Sequence, residues 1–177
     1  MSTTFSRNVV DGRIAESIIE QLFLENGYDV FRFGIENTAP SLSNQLGNRP
    51  KTRSIVSKMP DFIVRKDGKA YPVEVKFRGI GGKFDIDDLE GKDKPEYPYD
   101  KVFFIVITLN EMMNGTTRCE FKCTTIEDLR NGCRIDRESG NLLADCPEFT
   151  FDKDVLENLR SYAWAIFSGY KSKDNDN

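Results

Sequence analysis

Two carboxylates and one lysine form a pattern that could carry out phosphate chemistry. Asp61 follows Pro60, and Glu74 is separated from Lys76 by a single valine. Converging carboxylates suit Mg²⁺, because this ion takes oxygen ligands and keeps several waters or substrate phosphate oxygens. An ammonium beside such a site can position or activate a water and stabilise charge that develops on a phosphate. The alternative is a surface hairpin with a charged outer face, since charged and apolar residues often alternate in half-buried strands.

One predicted hairpin, Met59 to Arg78, must position these residues. Asp67-Gly68 lies between two runs rich in β-branched and aromatic residues, which is the strongest short-range signal for a two-residue turn with positive φ. Counting outward from that turn gives the pairs Lys66–Lys69, Val64–Tyr71, Phe62–Val73 and Asp61–Glu74. Lys76 then projects from the same face as Glu74, while the intervening apolar residues alternate onto a core face. The opposed carboxylates repel each other, so this register predicts a compensating charge.

The chain contains no histidine among its 177 residues. This excludes hydrolases built on imidazole, HNH-type nucleases and His-ligated zinc hydrolases. Any general acid or base must be Asp, Glu, Lys, Tyr, Cys or a metal-bound water. The four cysteines form no paired C-x-x-C units and no export signal is visible. We therefore expect reduced core thiols and a cytoplasmic location.

A long polar segment, residues 36–58, leads directly into Asp61. Acidic residues outnumber basic ones 29 to 25 in the whole chain, which argues against binding nucleic acid by bulk charge. The second half of the segment has no acidic residue and carries Arg49, Lys51, Arg53 and Lys58. Phosphate contacts from these side chains would hold a nucleic-acid backbone against the carboxylates. A solvated, mobile loop is the alternative interpretation.

Two amphipathic helices are predicted near the two ends of the chain. The first covers Asn8 to Asn26 and is ended by Gly27, and Glu16 lies at the border of its apolar stripe, within reach of a site at the sheet edge. The second covers Asp152 to Ser168. Its predicted inward residues are Val155, Leu156, Leu159, Tyr162, Ala163, Ile166 and Phe167.

Three further segments have strand patterns. They are Tyr28 to Ile35, Val102 to Leu109 and Thr116 to Thr124. In the first, Phe31, Phe33 and Ile35 share one face, and in the last Cys119, Phe121 and Cys123 share one side. The second is a continuous apolar run, which indicates burial on both faces. Between the hairpin and this run, Phe84 to Glu90 forms a short acidic segment.

Length and element order predict one α/β domain over residues 1–170, followed by a disordered polar tail over 171–177. No hydrophobic run approaches the length needed to cross a membrane, so we expect no membrane partner. The element order is helix, strand, hairpin, connection, buried strand, and then a peripheral strand and helix.

These motifs resemble the PD-(D/E)xK nuclease superfamily. The resemblance rests on Pro60-Asp61, on Glu74-Val75-Lys76, and on a preceding helix that carries Gly12-Arg13-Ile14-Ala15-Glu16. GRIAESIIEQLFLENGYDVFRFG, PDFIV and VEVKFR are most similar to the restriction-endonuclease-like and archaeal Holliday-junction resolvase branch, over about Gly12 to Arg78. The resemblance implies a restriction-endonuclease-like core, with a mixed central β-sheet flanked by helices in the order αβββαβ.

The resemblance also implies a function, that of a Mg²⁺-dependent DNA endonuclease in which Mn²⁺ substitutes. Asp61 and Glu74 would hold the metal together with the Val75 carbonyl, Lys76 would orient the attacking water, and Glu16 would complete the site directly or through water. Arg78 and Lys83 are further candidates for contacts to double-stranded or branched DNA. Action as a homodimer or within a larger nucleic-acid-processing complex stays open.

Two alternatives belong to other functional classes. A protein of the same fold could bind or target nucleic acid as a subunit of a larger complex without cleaving it. A zinc-stabilised interaction protein could instead use Cys119, Cys123, Cys133 and Cys146 in an irregular arrangement.

Overall fold

The computed structural model describes residues 3–33, 58–91, 96–111 and 117–168. Its helices are α1 (Thr3–Glu25), α2 (Ile86–Leu89), α3 (Ile126–Arg130) and α4 (Lys153–Ser168), with a 3-10 turn at Leu143–Asp145. Its strands are β1 (Asp29–Arg32), β2 (Phe62–Lys66), β3 (Lys69–Arg78), β4 (Phe103–Glu111), β5 (Thr117–Thr125) and β6 (Asn141–Leu142). Arg49, Lys51, Arg53 and the tail 171–177 lie outside the described residues.

The described strands form one six-stranded sheet in the order β1-β2-β3-β4-β5-β6. Only the pair β3 and β4 is parallel among them, and the other neighbours are antiparallel. A parallel pair needs a crossover connection, and here the chain makes it through α2. The predicted α/β class with a mixed sheet is confirmed at this level.

The hairpin forms as its turn residues predict. Asp67 and Gly68 both have positive φ, +50° and +74°, so β2 and β3 are joined by a tight two-residue turn. The pairs Lys66–Lys69, Val64–Tyr71 and Phe62–Val73 are confirmed. The fourth predicted pair lies beyond the described ladder, because β2 begins at Phe62 and Asp61 precedes it.

One face of the sheet packs on α1 and α4. Its core includes Val73 and Val75 of β3, alternate residues of β4 and β5, and the buried stripe of α1. The predicted helices are present, although α1 begins at Thr3 rather than Asn8. The prediction that Tyr162 points inward is wrong, because 59% of this residue is exposed. An amphipathic tyrosine tolerates this position at the edge of the helix stripe, where its ring can stay partly in water.

The opposite face of the sheet is covered around β4 but not at β1, and this argues against the alternative of a charged, solvated outer face where β3 adjoins β4. Phe104 and Val106 of β4 point to that side and pack with residues of α2, α3 and the chain before β4. Glu74 and Lys76 share this side, because Glu74 is in register with Phe104 and Lys76 with Val106. The carboxylate and the ammonium therefore lie beside a second apolar core, not on an open surface.

The first strand is shorter than its sequence pattern predicts. β1 ends at Arg32, and Ile35 lies outside the described residues. Phe31 is 47% exposed, and the Arg65 guanidinium lies 5.6 Å from its ring centroid. The face that Phe31 occupies is therefore the solvent side of an edge strand. In the part of the chain that the structure describes, no helix is long and apolar enough to span a membrane.

Candidate active site

The open edge of β3 places Asp61 beside Glu74 and Lys76. Within the described residues, β2 accompanies β3 only as far as Val73, while β3 continues along β4 to Arg78. Asp61 lies at the point where the two strands separate. Its Oδ2 accepts a 2.7 Å hydrogen bond from the Val75 N–H, and its carbonyl accepts one of 2.9 Å from the Phe33 N–H. The first bond holds Asp61 against β3, which carries Glu74 and Lys76, and the second holds it beside the end of β1.

Glu74 and Lys76 form a close ion pair on one side of β3. Lys76 Nζ donates to Glu74 Oε1 at 2.5 Å, and the two side chains are only 29% and 13% exposed, respectively. The second carboxylate oxygen, Glu74 Oε2, is buried and has no hydrogen-bond partner among the described residues. A buried carboxylate oxygen without a partner is costly, so this atom is suited to a ligand that supplies positive charge.

The charges around Glu74 are not balanced by Lys76 alone. Burial is the largest cause that raises the pKa of Glu74, from 4.5 to about 7, and the negative charge of Asp61 adds to it. The Lys76 ammonium and a hydrogen bond from the Asp61 backbone act in the opposite direction. For Lys76, burial lowers the pKa, but the Glu74 carboxylate outweighs it and the net shift is upward. Lys76 is therefore an ammonium at neutral pH.

Glu16 reaches the same place from α1. Burial raises its pKa, and the negative charge of Asp61 raises it further, while Arg32, Lys76 and Arg13 oppose the shift. Glu16, Asp61 and Lys76 all line one pocket of about 740 Å³. The structure therefore brings together the four residues singled out in the sequence, from a helix, a strand end and the strand after the turn.

The donor set agrees with a magnesium ion held mainly by substrate and water. Across residues 3–33, 58–91, 96–111 and 117–168, no three acidic or thiol side chains are close enough to hold a metal by themselves. Mg²⁺ does not require such a cluster, because it is usually bound through one or two carboxylates plus waters and substrate phosphates. Glu74, with its unpartnered Oε2, and Asp61, whose negative charge acts on Glu74, provide that minimal carboxylate pair. The residues present therefore fit the ion.

Three described residues predicted to contact DNA, Arg78, Lys83 and Lys58, differ in their hydrogen-bond partners. Arg78 donates to the Lys83 carbonyl at 2.9 Å, to the Phe77 carbonyl at 3.0 Å and to Asp88 Oδ1 at 3.0 Å, so its guanidinium braces the chain that follows β3. Lys83 pairs with Asp85 at 2.8 Å, with a side chain 67% exposed. Lys58 donates to two backbone carbonyls, those of Leu89 at 3.4 Å and Glu96 at 3.3 Å.

Tyr97 is a neighbour of the site that sequence reasoning missed. It is 4% exposed, and its ring centroid lies 5.5 Å from that of Phe104, the residue in register with Glu74. Burial raises the pKa of its hydroxyl, and the negative charges of Glu74 and Asp61 raise it further. The hydroxyl oxygen has no hydrogen-bond partner among the described residues. The one signal in the sequence is an aromatic pair, Tyr97 and Tyr99, in an otherwise polar, proline-containing connection.

The cysteines do not form a zinc site. Cys119, Cys123 and Cys146 are buried in the core between the sheet and α1 and α4, and Cys133 is half-buried elsewhere. Cys123 Sγ and Cys146 Sγ are 3.6 Å apart, but no group of three or more potential metal ligands includes them in the described chain. The described residues therefore lend no support to the zinc-stabilised alternative, and the expectation of core cysteines is confirmed for three of the four.

Comparison with known proteins returned no protein-family model, no curated protein and no solved structure that matches this chain.

Proposed function

We propose that this protein is a Mg²⁺-dependent nuclease that hydrolyses phosphodiester bonds in DNA. The observation that carries the proposal is the meeting of Asp61, Glu74, Lys76 and Glu16 at the open edge of β3, with one buried Glu74 oxygen left without a partner. Asp61 and Glu74, together with the Val75 carbonyl, would hold Mg²⁺, or Mn²⁺ in its place, and Glu16 would complete the site through a water. When bound, the ion supplies polarisation of the phosphate and an acidified water.

The protein's own residues have separate roles in this proposal. Asp61 is fixed by its bond to the Val75 N–H, so its carboxylate keeps a constant position relative to β3. Lys76 carries a positive charge into a half-buried place where water screens it less than at the surface. It would hold a water in line with a phosphate and stabilise the negative charge that develops on the phosphate oxygens.

The fold is compatible with a restriction-endonuclease-like core, which we include in the proposal. The first six described elements follow the order α1-β1-β2-β3-α2-β4. Within them, β3 pairs antiparallel with β2 and parallel with β4, and α1 packs on the face of β3 opposite to Glu74. This arrangement lets a helix residue, Glu16, reach strand residues around the edge of β3 beyond Val73, where the described ladder with β2 ends.

A cleavage assay tests the proposal directly. Supercoiled, linear, single-stranded and branched DNA are incubated with the protein, with Mg²⁺, with Mn²⁺ and with EDTA. We expect cleavage that requires a divalent ion and is lost in Asp61→Asn. The matched control is Asp67→Asn in the hairpin turn, an exposed aspartate whose φ of +50° asparagine adopts readily. Cleavage that survives in Asp61→Asn, or no cleavage of any substrate, would contradict the proposal.

Metal binding can be tested apart from cleavage. A ligand that binds only the folded state stabilises it by an amount that grows with the logarithm of its concentration. Millimolar Mg²⁺ should therefore raise the thermal unfolding temperature of the wild type and of Asp67→Asn, but not that of Asp61→Asn. If DNA binds without cleavage and Mg²⁺ gives no shift, the result would favour a DNA-binding or targeting subunit of the same fold.

A further inference from the structure

The pocket at the site has an apolar wall in addition to its charged residues. Apolar side chains reach it from three elements: Phe77 at the end of β3 with Ile80 just beyond it, Leu109 of β4 and Phe167 of α4. The pocket volume, about 740 Å³, lies in the range of pockets that hold small molecules and cofactors. A metal ion and a single phosphate would fill only a small part of this space.

This apolar wall is built from fixed side chains. The rings of Phe77 and Phe167 are stacked, with centroids 4.1 Å apart and an interplanar angle of 20°. Phe167 and Leu109 are only 2% and 4% exposed. Ile80, by contrast, is 38% exposed and stands on a turn closed by a 2.9 Å hydrogen bond from the Gly82 N–H to the Gly79 carbonyl. Ile80 is therefore a rim residue that can be changed without opening the core.

The other wall is polar and comes from α1. Asn8, Asp11 and Gly12 line it, one to two helical turns before Glu16. A Cβ placed on Gly12 would meet none of the described residues within 4 Å, so the described part of the chain leaves open space at this point of the helix. An amide can both donate and accept hydrogen bonds, which suits the edge of a nucleobase. A flat heterocycle with polar edges, attached to a phosphate at the carboxylates, matches both walls of the pocket.

We propose that this pocket takes one unstacked nucleobase next to the scissile phosphate, so that the substrate is DNA with an unpaired nucleotide at the cleavage point. This inference rests on the proposed nuclease function. A base that is paired and stacked in a duplex cannot enter a concave pocket, and unstacking costs least where the base is already single-stranded. Aromatic side chains beside such a base add affinity without sequence preference. Single-stranded ends, flaps and frayed junctions are therefore expected to be better substrates than a continuous duplex.

The test measures base binding in EDTA, so that its result does not depend on cleavage. The probe is a short single-stranded oligonucleotide with one 2-aminopurine, used alone and annealed to its complement. With the wild type we expect the fluorescence of the single strand to rise as the base leaves its neighbours, and an affinity at least tenfold higher than for the duplex. Ile80→Trp, which narrows the pocket mouth, should weaken single-strand binding at least tenfold.

The matched control is Leu142→Trp, at an equally exposed leucine on the distant edge strand β6, which should bind like the wild type. Equal affinity for single strand and duplex, no fluorescence change on binding, or an Ile80→Trp variant that binds as well as Leu142→Trp would overturn the pocket assignment. The nuclease proposal fails on a different result, the absence of Asp61-dependent cleavage. The two failures are therefore distinguishable.

Discussion

Two lysines in one row of the sheet have different surroundings. Lys76 of β3 is in register with Val106 of β4, and Val106 is in register with Lys122 of β5. All three side chains project from the same side of the sheet, since residues in register share a face. Both lysines are largely enclosed, with side chains 29% exposed for Lys76 and 4% for Lys122. Position in the sheet therefore does not distinguish them.

Their partners do distinguish them. Lys122 Nζ donates to the carbonyls of Asp136 at 2.7 Å, Ser139 at 3.0 Å and Arg137 at 3.3 Å, so each of its three N–H donors has a backbone acceptor. Lys76 donates to Glu74 at the wall of a pocket, beside a carboxylate oxygen that has no partner. Lys122, whose three donors all have backbone acceptors, therefore closes a turn. Lys76, whose partner Glu74 has a carboxylate oxygen without a hydrogen-bond partner among the described residues, marks a candidate site instead.

The largest loss of folding stability is expected from Lys122→Met, which keeps a long apolar side chain but removes all three N–H donors. Three partly buried carbonyls would lose the donor that they share, which should lower the free energy of unfolding by about 3–5 kcal/mol. Urea unfolding followed by circular dichroism measures this. Lys101→Met, at an exposed position, is the control and should change stability by less than about 0.5 kcal/mol. A loss under about 1 kcal/mol in Lys122→Met would show that the turn does not depend on this lysine.

Lys76→Met should affect the cleavage rate more than stability, whereas Lys122→Met should mainly affect stability. Loss of its charge should slow cleavage by about 10²–10⁴-fold, the contribution typical of a positioned catalytic group. The stability loss should be smaller than in Lys122→Met, because the Glu74 carboxyl, with a pKa already raised to about 7, can take up a proton when its partner is removed. Initial cleavage rates and urea unfolding are measured on the same preparations. A variant that cleaves within threefold of the wild type would remove Lys76 from the mechanism.

The local elements of the Lys76 site could be predicted because their signals are short-range. The pair Asp67-Gly68 predicts the turn, and counting outward from the turn predicts three strand pairs. The helical spacing of the apolar residues places Glu16 near the edge of the sheet. Each of these depends on spacing within a few residues or on one turn. The approach of Glu16 to Asp61 is long-range, and the resemblance of the combined motifs predicts it, whereas periodicity places Glu16 only near the edge of the sheet.

The second apolar core, on the side of the sheet that carries Glu74 and Lys76, could not be predicted from short-range signals. A charged strand face is covered only where the crossover between β3 and β4 passes over it. The apolar residues of that crossover, such as Phe84 and Tyr97, are scattered among polar neighbours in the sequence. In the sequence, Lys122 is one polar residue between Phe121 and Cys123 of an alternating strand. Its role depends on backbone carbonyls of the turn at 136–139, and backbone acceptors leave no side-chain signature in a sequence.

The pH dependence of stability should differ between the two regions, and Glu74 gives the larger effect. Its folded pKa of about 7 lies above its ordinary value of 4.5, so the folded state holds this proton more tightly than the unfolded state. Its contribution to stability is therefore full below pH 4.5 and is lost as the pH rises through about 7. In EDTA, the wild type should lose on the order of 2–3 kcal/mol across this window relative to Glu74→Gln. Parallel curves for the two proteins would contradict the shift.

Asp136, in the turn that Lys122 closes, should respond in the opposite direction and more weakly. Hydrogen bonds from the Ser139 side chain and from the Glu138 and Ser139 N–H groups hold its pKa at about 2, below the ordinary 3.8. Its contribution is therefore present above pH 3.8 and is lost as the pH falls through about 2. Because Asp136 is near the surface, screening limits this contribution to about 1 kcal/mol.

Asp136→Asn should accordingly be about 1 kcal/mol less stable than the wild type at pH 7 and equally stable near pH 2, while the exposed Asp145→Asn should match the wild type at both. Urea unfolding at the two pH values measures the difference. A deficit that stays the same at low pH would mean that asparagine disturbs the turn sterically, since protonation could then not account for it. A deficit that disappears would show that the carboxylate charge orders the carbonyls around Lys122. The two lysines would then differ also in the sign of their pH response, with acid weakening the turn at Lys122 and stabilising the metal-free site at Lys76.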